Sequence, residues 1–161
     1  MQGSGPSVGD VTYSRDMPRQ SPVPIDLLPH LRRARDVADR NYAEPLDLAA
    51  LAAAAGVSKY HFLRCFAAEY GETPMQYLSR RRIERATDLL RATNLTVTEV
   101  CNLVGFSSLG SFSTRFRELV GMSPSEYQRT QAGGPHIPGC YVFMIGLRRA
   151  ARDDDQPGTS P

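Results

Sequence analysis

The chain has 161 residues, 41% of them hydrophobic, which is enough for one domain with its own core plus tails. No run of about 18 apolar residues occurs and no basic segment leads into an apolar one at the N-terminus, so the sequence predicts neither a membrane span nor a secretory signal. Three cysteines without paired spacing argue against disulfides or zinc and favour reduced thiols in the cytoplasm. The net charge of +2 is weak evidence for a nucleic-acid partner, so such a function must rest on where the arginines lie.

The N-terminal part of the chain predicts a tail followed by a helix. Residues 1–24 are rich in glycine, serine and proline, a composition that predicts disorder. A linker, an expression remnant and a misplaced start site all fit this segment. Apolar residues at helical spacing then predict a first helix from Ile25 to Glu44, with Asp26 as its cap and Pro45 as its stop.

The next segment has the layout of a helix-turn-helix. Residues 47–55 form a short predicted helix capped by Asp47, and Gly56 supplies a tight turn in the left-handed conformation. Ser58 then caps a third helix that runs to about Tyr70 before Gly71. A helix, a glycine turn and a second helix are the parts of a helix-turn-helix motif.

The third helix has an apolar face and a polar face. Residues spaced three and four apart form the apolar face, namely Phe62, Cys65 and Phe66. The polar face carries Tyr60, His61 and Arg64. A helix of this kind can pack its apolar side on a small core and present its polar side to a flat, anionic partner.

A long fourth helix is predicted from Pro74 to about Ala92, with Thr73 as its cap. At 1.5 Å per residue it is roughly 30 Å long, close to the roughly 34 Å between successive major grooves on one face of DNA. A rigid spacer of this length can hold two DNA-contacting units one helical turn apart.

The fourth helix also carries a basic cluster, Arg80, Arg81, Arg82 and Arg85. One interpretation is a strip that binds phosphates. We favour the alternative, in which Arg82 or Arg85 pairs with acids and the other arginines are solvated. The candidate acids are Glu84, Asp88 and Glu99.

The whole arrangement recurs about fifty residues later. A fifth helix is predicted from Thr96 to Val104, with Thr96 and Glu99 as a capping box, followed by a turn at Gly105. Ser107 or Ser108 caps a sixth helix that runs to about Val120, and a short last helix covers 124–130. The matched pairs are Phe62 and Phe112, Phe66 and Phe116, Gly71 and Gly121, Pro74 and Pro124, and Tyr77 and Tyr127. We favour two copies of one helical design over two hairpins that are alike by composition alone.

The C-terminal segment loses this pattern. Glycines and prolines after Gln131 break any helix, so residues 131–161 are predicted to be mostly disordered. The apolar run 140–147 is expected to dock weakly or to form a short helix or strand. A truncated or frame-altered end is an open alternative.

At this point the motifs resemble those of a known family. The pattern Gly-Val-Ser-x-x-x-Phe-x-x-x-Phe over 56–66 and Gly-x-Thr-Pro-x-x-Tyr-Leu over 71–78 resemble the first half of an AraC/XylS-type DNA-binding domain. Val-Gly-Phe-Ser-Ser over 104–108 and Gly-Met-Ser-Pro-Ser-Glu-Tyr over 121–127 are similar to that family's signature. The resemblance covers residues 25–130.

The resemblance implies an all-α fold of seven helices with disordered tails. Two helix-turn-helix subdomains, at about 47–68 and 96–119, would be joined by the long fourth helix. It further implies transcriptional control through two recognition helices, at about 58–70 and 108–120, inserted into adjacent major grooves of promoter DNA.

In this family the first unit contacts DNA through the exposed face of its third helix. The matching residues here are Ser58, Lys59, Tyr60, His61, Leu63 and Arg64. Arg64 is the strongest candidate because arginine can bond O6 and N7 of one guanine. Tyr60 can pack on sugar or a thymine methyl, and Ser58 at the helix N-terminus suits a phosphate. The plainer interpretations are a solvated Arg64 and a partly packed surface His61.

The second unit departs from the family pattern. Gly110, Ser111 and Thr114 occupy the positions of Tyr60, His61 and Arg64. The family often has an arginine at the last of these positions, whereas here Arg115 stands one place later and should face partly inward. Gly110 also weakens the helix by about 1 kcal/mol relative to alanine. We therefore expect mainly phosphate contacts from this half, through Ser107, Ser108, Ser111 and Arg117, with base reading concentrated in the first half. Gly110, Thr114 and Arg115 complete the set of residues that we expect at the DNA in this half.

The expected function is a sequence-specific transcriptional regulator that is not an enzyme and needs no cofactor, metal or membrane. Its expected partner is double-stranded promoter DNA, with RNA polymerase as a further candidate. Most family members carry a sensing or dimerising domain for which these residues leave no room. The chain is therefore expected to act as a monomer on DNA or to be a detached DNA-binding fragment.

Two other classes of function compete with this one. Some DNA repair methyltransferases carry a domain of this type, but they need a zinc-binding cysteine set and an activated cysteine, whereas Cys65 and Cys101 fall at core positions here. The second alternative is a protein-interaction module or regulator fragment whose DNA binding is lost or non-specific. Gly110, Thr114 and the low net charge slightly favour that alternative.

Overall fold

The computed structural model describes residues 23–131 and 137–139, and within them the fold is built from α-helices. After a single 3-10 turn at Ile25–Leu27, the chain forms α1 (Leu28–Arg40), α2 (Leu48–Ala55), α3 (Lys59–Tyr70), α4 (Pro74–Ala92), α5 (Val97–Leu103), α6 (Leu109–Val120) and α7 (Pro124–Thr130). The predicted all-α fold with seven helices is confirmed. The disorder predicted for residues 1–22, 132–136 and 140–161 lies outside the described residues.

Polar side chains fix the start of almost every helix. The residues whose side chains accept a backbone N–H of the first turn are Asp47, Ser58, Thr73, Thr96, Ser108 and Ser123. Each satisfies a donor that the helix leaves free at its N-terminus. Of the two serines considered for α6, Ser108 is therefore the cap. The capping box of Thr96 with Glu99 is confirmed as well.

The first helix differs from its prediction at both ends. Asp26 is not its cap, because α1 begins at Leu28 after the 3-10 turn and its N-cap, Leu27, makes no side-chain hydrogen bond. The helix also ends four residues early, at Arg40. Residues 41–44 form a turn in which the Glu44 N–H donates to the Asn41 carbonyl at 2.9 Å. The helical spacing continued past the true end because Tyr42 is still packed against the core.

The buried side chains form two clusters, one in each half of the molecule. The first joins α1, α2, α3 and the start of α4 around Phe62 and Phe66, and the second joins the rest of α4 with α5 and α6 around Phe112 and Phe116. All four rings are at most 1% exposed. Helix α4, with 19 residues and a length of about 28 Å, contributes to both clusters and connects them.

The aromatic packing repeats between the two halves. The rings of Phe62 and Phe66 lie 5.4 Å apart, and those of Phe112 and Phe116 lie 5.7 Å apart. The second ring of each pair meets a tyrosine from the following helix, at 5.8 Å for Tyr77 and 5.6 Å for Tyr127. The predicted internal repeat is therefore present in the packing.

Part of the C-terminal segment returns to the folded body. The Ile137 N–H donates to the Ala92 carbonyl at 2.7 Å, and the Gly139 N–H donates to the Asn94 side-chain oxygen at 2.7 Å. These contacts place residues 137–139 on the connection between α4 and α5. Glycine and proline content alone did not predict this return.

Candidate nucleic-acid interface

The front of α3 presents a group of exposed polar side chains. Lys59, Tyr60 and Arg64 are exposed, with Tyr60 at 89%, while His61 and Leu63 are half-buried. Neither Lys59 nor Arg64 forms an ion pair with another described residue. Two cations and an aromatic ring are thus available to an external partner on one short helix.

The base of α3 holds these side chains in place. Phe62 is fully buried on the opposite side of the helix, and the Ser58 hydroxyl accepts the His61 N–H at 3.4 Å. The His61 ring is drawn toward the core, with both ring nitrogens 3.8 Å from the Cys65 sulfur. His61 is therefore the partly packed histidine of the plainer interpretation. Its remaining exposed edge is still on the polar face.

The matching surface of α6 is smaller and less charged. Ser107, Ser108, Gly110, Ser111, Thr114 and Arg117 are all exposed. The Ser108 hydroxyl donates to the Ser111 hydroxyl at 2.8 Å and also accepts the Ser111 N–H at 3.2 Å, so both serines take part in the helix cap. Arg117 is the cation that this face offers to solvent.

Arg115 is held within the protein. Its side chain donates to the Ser79 hydroxyl at 3.2 Å and to Glu118 at 2.9 Å. Its expected inward orientation is confirmed, and these contacts connect α6 to α4. The guanidinium is consequently occupied by internal partners rather than presented freely, as Arg64 is.

The arginines of α4 are also occupied internally. Arg80 pairs with Glu72 and Glu84, and Arg81 pairs with Asp39 and Glu84. The prediction that these arginines are simply solvated is therefore wrong. Arg85 does approach an acid, since its guanidinium lies 3.7 Å from Asp88. The ion pairs connect α1 and the α3–α4 turn to α4.

Arg82 differs from its prediction most clearly. It donates to two backbone carbonyls, those of Tyr42 at 2.6 Å and Glu44 at 2.8 Å, instead of pairing with an acid. Burial lowers the pKa of Arg82. Sequence reasoning missed this contact because a backbone carbonyl leaves no signature in the residue type.

The titration properties of α4 follow from the same contacts. Burial raises the pKa of Glu84, but hydrogen bonds from Arg81 and Arg80 outweigh it, so the pKa lies below the ordinary value. Burial and the hydrogen bond to Asp39 raise the pKa of Tyr77 to about 12. Both groups keep a single charge state at neutral pH. Glu84 pairs with two arginines of its own helix, whereas the Tyr77 hydroxyl donates to Asp39 and so connects α4 to α1.

No cluster of three or more histidine, cysteine or acidic side chains suited to a metal occurs among residues 23–131 and 137–139. Within the same residues, the helices are too short or too polar to cross a membrane. The two described cysteines, Cys65 and Cys101, are buried and reduced. Burial raises the pKa of the Cys101 thiol.

A pair of helix-turn-helix units joined by one long helix is the class of protein that this geometry defines. A helix-turn-helix domain family matches residues 51–130. The transcriptional activator AarP of Providencia stuartii is 36% identical over 93 residues, which make up 58% of this chain and 69% of AarP. LumQ, a probable transcriptional regulator of Photobacterium leiognathi, is 36% identical over 90 residues, 56% of this chain and 36% of LumQ.

Solved structures give the same result. The C-terminal domain of AraT, a response regulator from Geobacillus stearothermophilus, superposes with a TM-score of 0.62 at 32% identity, covering 69% of this chain and 89% of that domain. The DNA-binding domain of AdpA, a global transcriptional factor, was solved in complex with a target DNA. It superposes with a TM-score of 0.60 at 32% identity, covering 62% of this chain and 90% of that domain.

The chain belongs to the AraC-type family of helix-turn-helix transcriptional regulators. It spans about a third of the length of several curated relatives that it matches, LumQ among them. The family resemblance seen in the sequence motifs is therefore confirmed.

Proposed function

We propose that this chain is a sequence-specific transcriptional regulator that inserts α3 and α6 into adjacent major grooves of double-stranded promoter DNA. The observation that carries the proposal is the front of α3, where Lys59, Tyr60 and Arg64 are exposed and neither cation pairs with an acid in the part of the chain that the structure describes. The likeness to the AdpA domain, solved with a target DNA, supports it. The DNA-binding unit would cover residues 25–130, with its helix-turn-helix parts at 47–68 and 96–119.

The two units would contribute differently to recognition. In the first unit, Arg64 would read a guanine edge, Tyr60 would pack on sugar or a thymine methyl, and Lys59 would contact a phosphate. The partly buried His61 and Leu63 would shape the contact from its edge. Ser58 and the α3 N-terminus would hold a second phosphate through backbone N–H groups.

The second unit would act mainly as a phosphate anchor. Its candidate contacts are Ser107, Ser108, Gly110, Ser111, Thr114 and Arg117. Gly110 allows close approach of the backbone, and hydroxyl groups and a single exposed arginine suit phosphate oxygens better than a base code. Arg115 would position α6 through Ser79 instead of reading bases. Base specificity would then lie mostly in the first unit.

The chain would work as a monomer on an asymmetric site in the cytoplasm, as a binding factor and not as an enzyme. RNA polymerase is a candidate partner at the promoter. Two connected units occupying two grooves need no second copy for a site of useful length, and this is the reason for proposing a monomer.

The proposal is tested by binding the chain to a random duplex library and sequencing the retained DNA. We expect an enriched site, and the affinity for that site should fall steeply with added salt because bound phosphates release counterions. Steep salt dependence without enrichment would reduce the function to non-specific binding. Absence of binding at low salt would contradict the proposal and favour a protein-interaction module.

A further inference from the structure

The connection between α1 and α2 belongs to the first unit but lies against the second. The Tyr42 side chain packs on both hydrophobic clusters. Among the described residues, no other hydrophobic side chain belongs to both of them. Its backbone carbonyl and that of Glu44 are both bound by Arg82, which stands on α4 between the two units.

A second contact crosses at the same place. Gly105, in the turn between α5 and α6, has a φ of +83°, and a Cβ atom there would lie 2.5 Å from the Ala43 carbonyl oxygen and 2.9 Å from its carbon. A side chain at this position would force the two backbones apart. Two features therefore require glycine at position 105. Its backbone has a positive φ, and the backbone of the first unit approaches it too closely for a side chain.

Arg82 completes the contact from the other side. Its guanidinium lies 5.8 Å from the ring centroid of Phe106, the residue after Gly105. One side chain therefore binds the first unit by two hydrogen bonds and stacks on the turn of the second. Since a planar guanidinium can donate in two fixed directions, it can span two carbonyls in a way that an ammonium group cannot.

We propose that Tyr42, Ala43, Arg82 and Gly105 form a brace that fixes the orientation of α6 relative to α3 and thereby sets where along the DNA the second unit contacts the phosphates. The inference rests on the proposed function. Its members are positioning residues, since none belongs to the face of α3 or α6 that would meet DNA. Helix α4 joins the units, and the brace prevents them from twisting about it.

The brace has a measurable consequence for DNA. Successive phosphates along the duplex are displaced by about 3.4 Å and turned by about 34° around the axis. A rigid pair of units brings the second unit to one set of phosphates, whereas a loosened pair can reach neighbouring phosphates as well. The separation and sharpness of the two protected blocks therefore report the brace independently of affinity.

The first test is hydroxyl-radical footprinting on the selected duplex at saturating protein. Wild type is expected to protect two sharply bounded blocks at one fixed separation, because α6 reaches the phosphates of the second block in a single orientation. In Arg82→Lys, which keeps the charge, protection of the second block should weaken and spread by about one base pair to either side. Arg91→Lys, on an exposed position of the same helix, should keep the wild-type footprint.

Glycine variants provide a second matched pair. Gly105→Ala and Gly121→Ala carry the same conformational strain, since both glycines have positive φ, but a Cβ at Gly121 meets no atom within 4 Å. We expect Gly105→Ala to blur the second protected block and Gly121→Ala to leave it sharp. If Gly105→Ala fails to fold, Arg82→Lys decides the result. A folded Arg82→Lys variant with the wild-type footprint would overturn the inference.

A measurement without DNA separates the brace from the proposed function. Spin labels attached at Lys59→Cys and Leu109→Cys mark the first residues of α3 and α6. Cys140 is replaced by serine, and Cys65 and Cys101 do not compete for the label because they are buried. Pulsed electron double resonance should give a narrow distribution of distances between the two labels, and this distribution should broaden when Arg82→Lys is added. Equal widths would overturn the brace. Broadening, combined with no DNA binding by the unlabelled wild-type chain, would support the brace while refuting the proposed function.

Discussion

Arg64 and Thr114 occupy matching positions fifty residues apart, and both are exposed. Only the arginine can make a paired contact with one guanine, and this difference is the reason for proposing that the first unit reads the bases. The exposure of Arg64 follows from its spacing relative to the buried Phe62 and Phe66, and could be predicted from sequence. Its base contact remains a prediction.

Replacing Arg64 by alanine is expected to relax the preference at one base position by about 1–3 kcal/mol, because the bidentate contact is lost. Library selection with the variant measures this change directly. Thr114→Ala serves as the matched control and should leave every base preference as it was. An unchanged preference in Arg64→Ala would remove that residue from the base-reading set.

Arg117→Ala tests the role of the second unit at the same scale. A lost phosphate contact should weaken binding about equally on all sequences and lower the slope of log affinity against log salt by about 1. Titrations of the selected site and of an unrelated duplex give both quantities. A loss confined to the selected site would indicate that Arg117 reads bases instead.

The residues that sequence reasoning misjudged share one physical feature. Arg82 binds carbonyls of Tyr42 and Glu44, about forty positions away along the chain. Hydrophobic spacing and charge pairing describe side chains, and neither carries information about a distant backbone group. The orientation of Arg115 was easier to predict, because its position in the repeat matches that of Cys65 and so indicated an inward side chain.

At the scale of the helices, caps and apolar spacing were enough to predict six of the seven starts. The exception is α1, which begins without a side-chain cap, so Asp26 misled the prediction. Its end was missed as well, since residues 41–44 leave the helix to contact the second unit while Tyr42 keeps the apolar spacing. Local signals thus failed where a tertiary contact decided the backbone.

The sixth helix is anchored by two buried rings, Phe112 and Phe116, and the first of them can be tested by substitution. Phe112→Ala is expected to lower the free energy of unfolding by about 3–5 kcal/mol, because it removes a fully buried phenyl group and leaves a cavity. Denaturant titration measures the loss. Leu119→Ala, at a site 41% exposed on the same helix, is the control and should cost much less. A near-normal stability for Phe112→Ala would mean that its ring does not anchor α6.

The ion pairs that Glu84 forms with Arg80 and Arg81 within α4 give the protein a predicted response to acid. The pKa of Glu84 is depressed in the folded state below its ordinary value of 4.5. Its stabilising contribution is therefore complete above that value and lost as the pH falls through the folded pKa. Glu84→Gln should lower the melting temperature at neutral pH and reduce the further fall on acidification.

Melting curves at neutral and acid pH test this response. The exposed Glu69→Gln is the control for removing one negative charge, and it should follow the wild-type pH dependence. If Glu84→Gln shows the same fall in acid as wild type, other carboxylates govern acid unfolding. The direction follows from Arg80 and Arg81, whose hydrogen bonds favour the charged carboxylate.

For the whole molecule, the repeat predicted two units and α4 predicted their separation, but neither predicted how the units are held. That information lies in the contact of Gly105 with Ala43 and in the two bonds of Arg82, which depend on backbone positions. An arrangement of two units on one helix becomes a single reading surface only when their relative orientation is fixed. The two protected blocks on the proposed DNA site should therefore have one fixed separation.

The most direct test of this account is hydroxyl-radical footprinting combined with base-modification interference on the selected duplex. If the two units bind adjacent major grooves, two protected blocks should appear about ten base pairs apart on one face of the DNA. Base interference should be concentrated in one of these blocks and should be lost there in Arg64→Ala. A single protected block, or base interference of equal strength in both blocks, would contradict it.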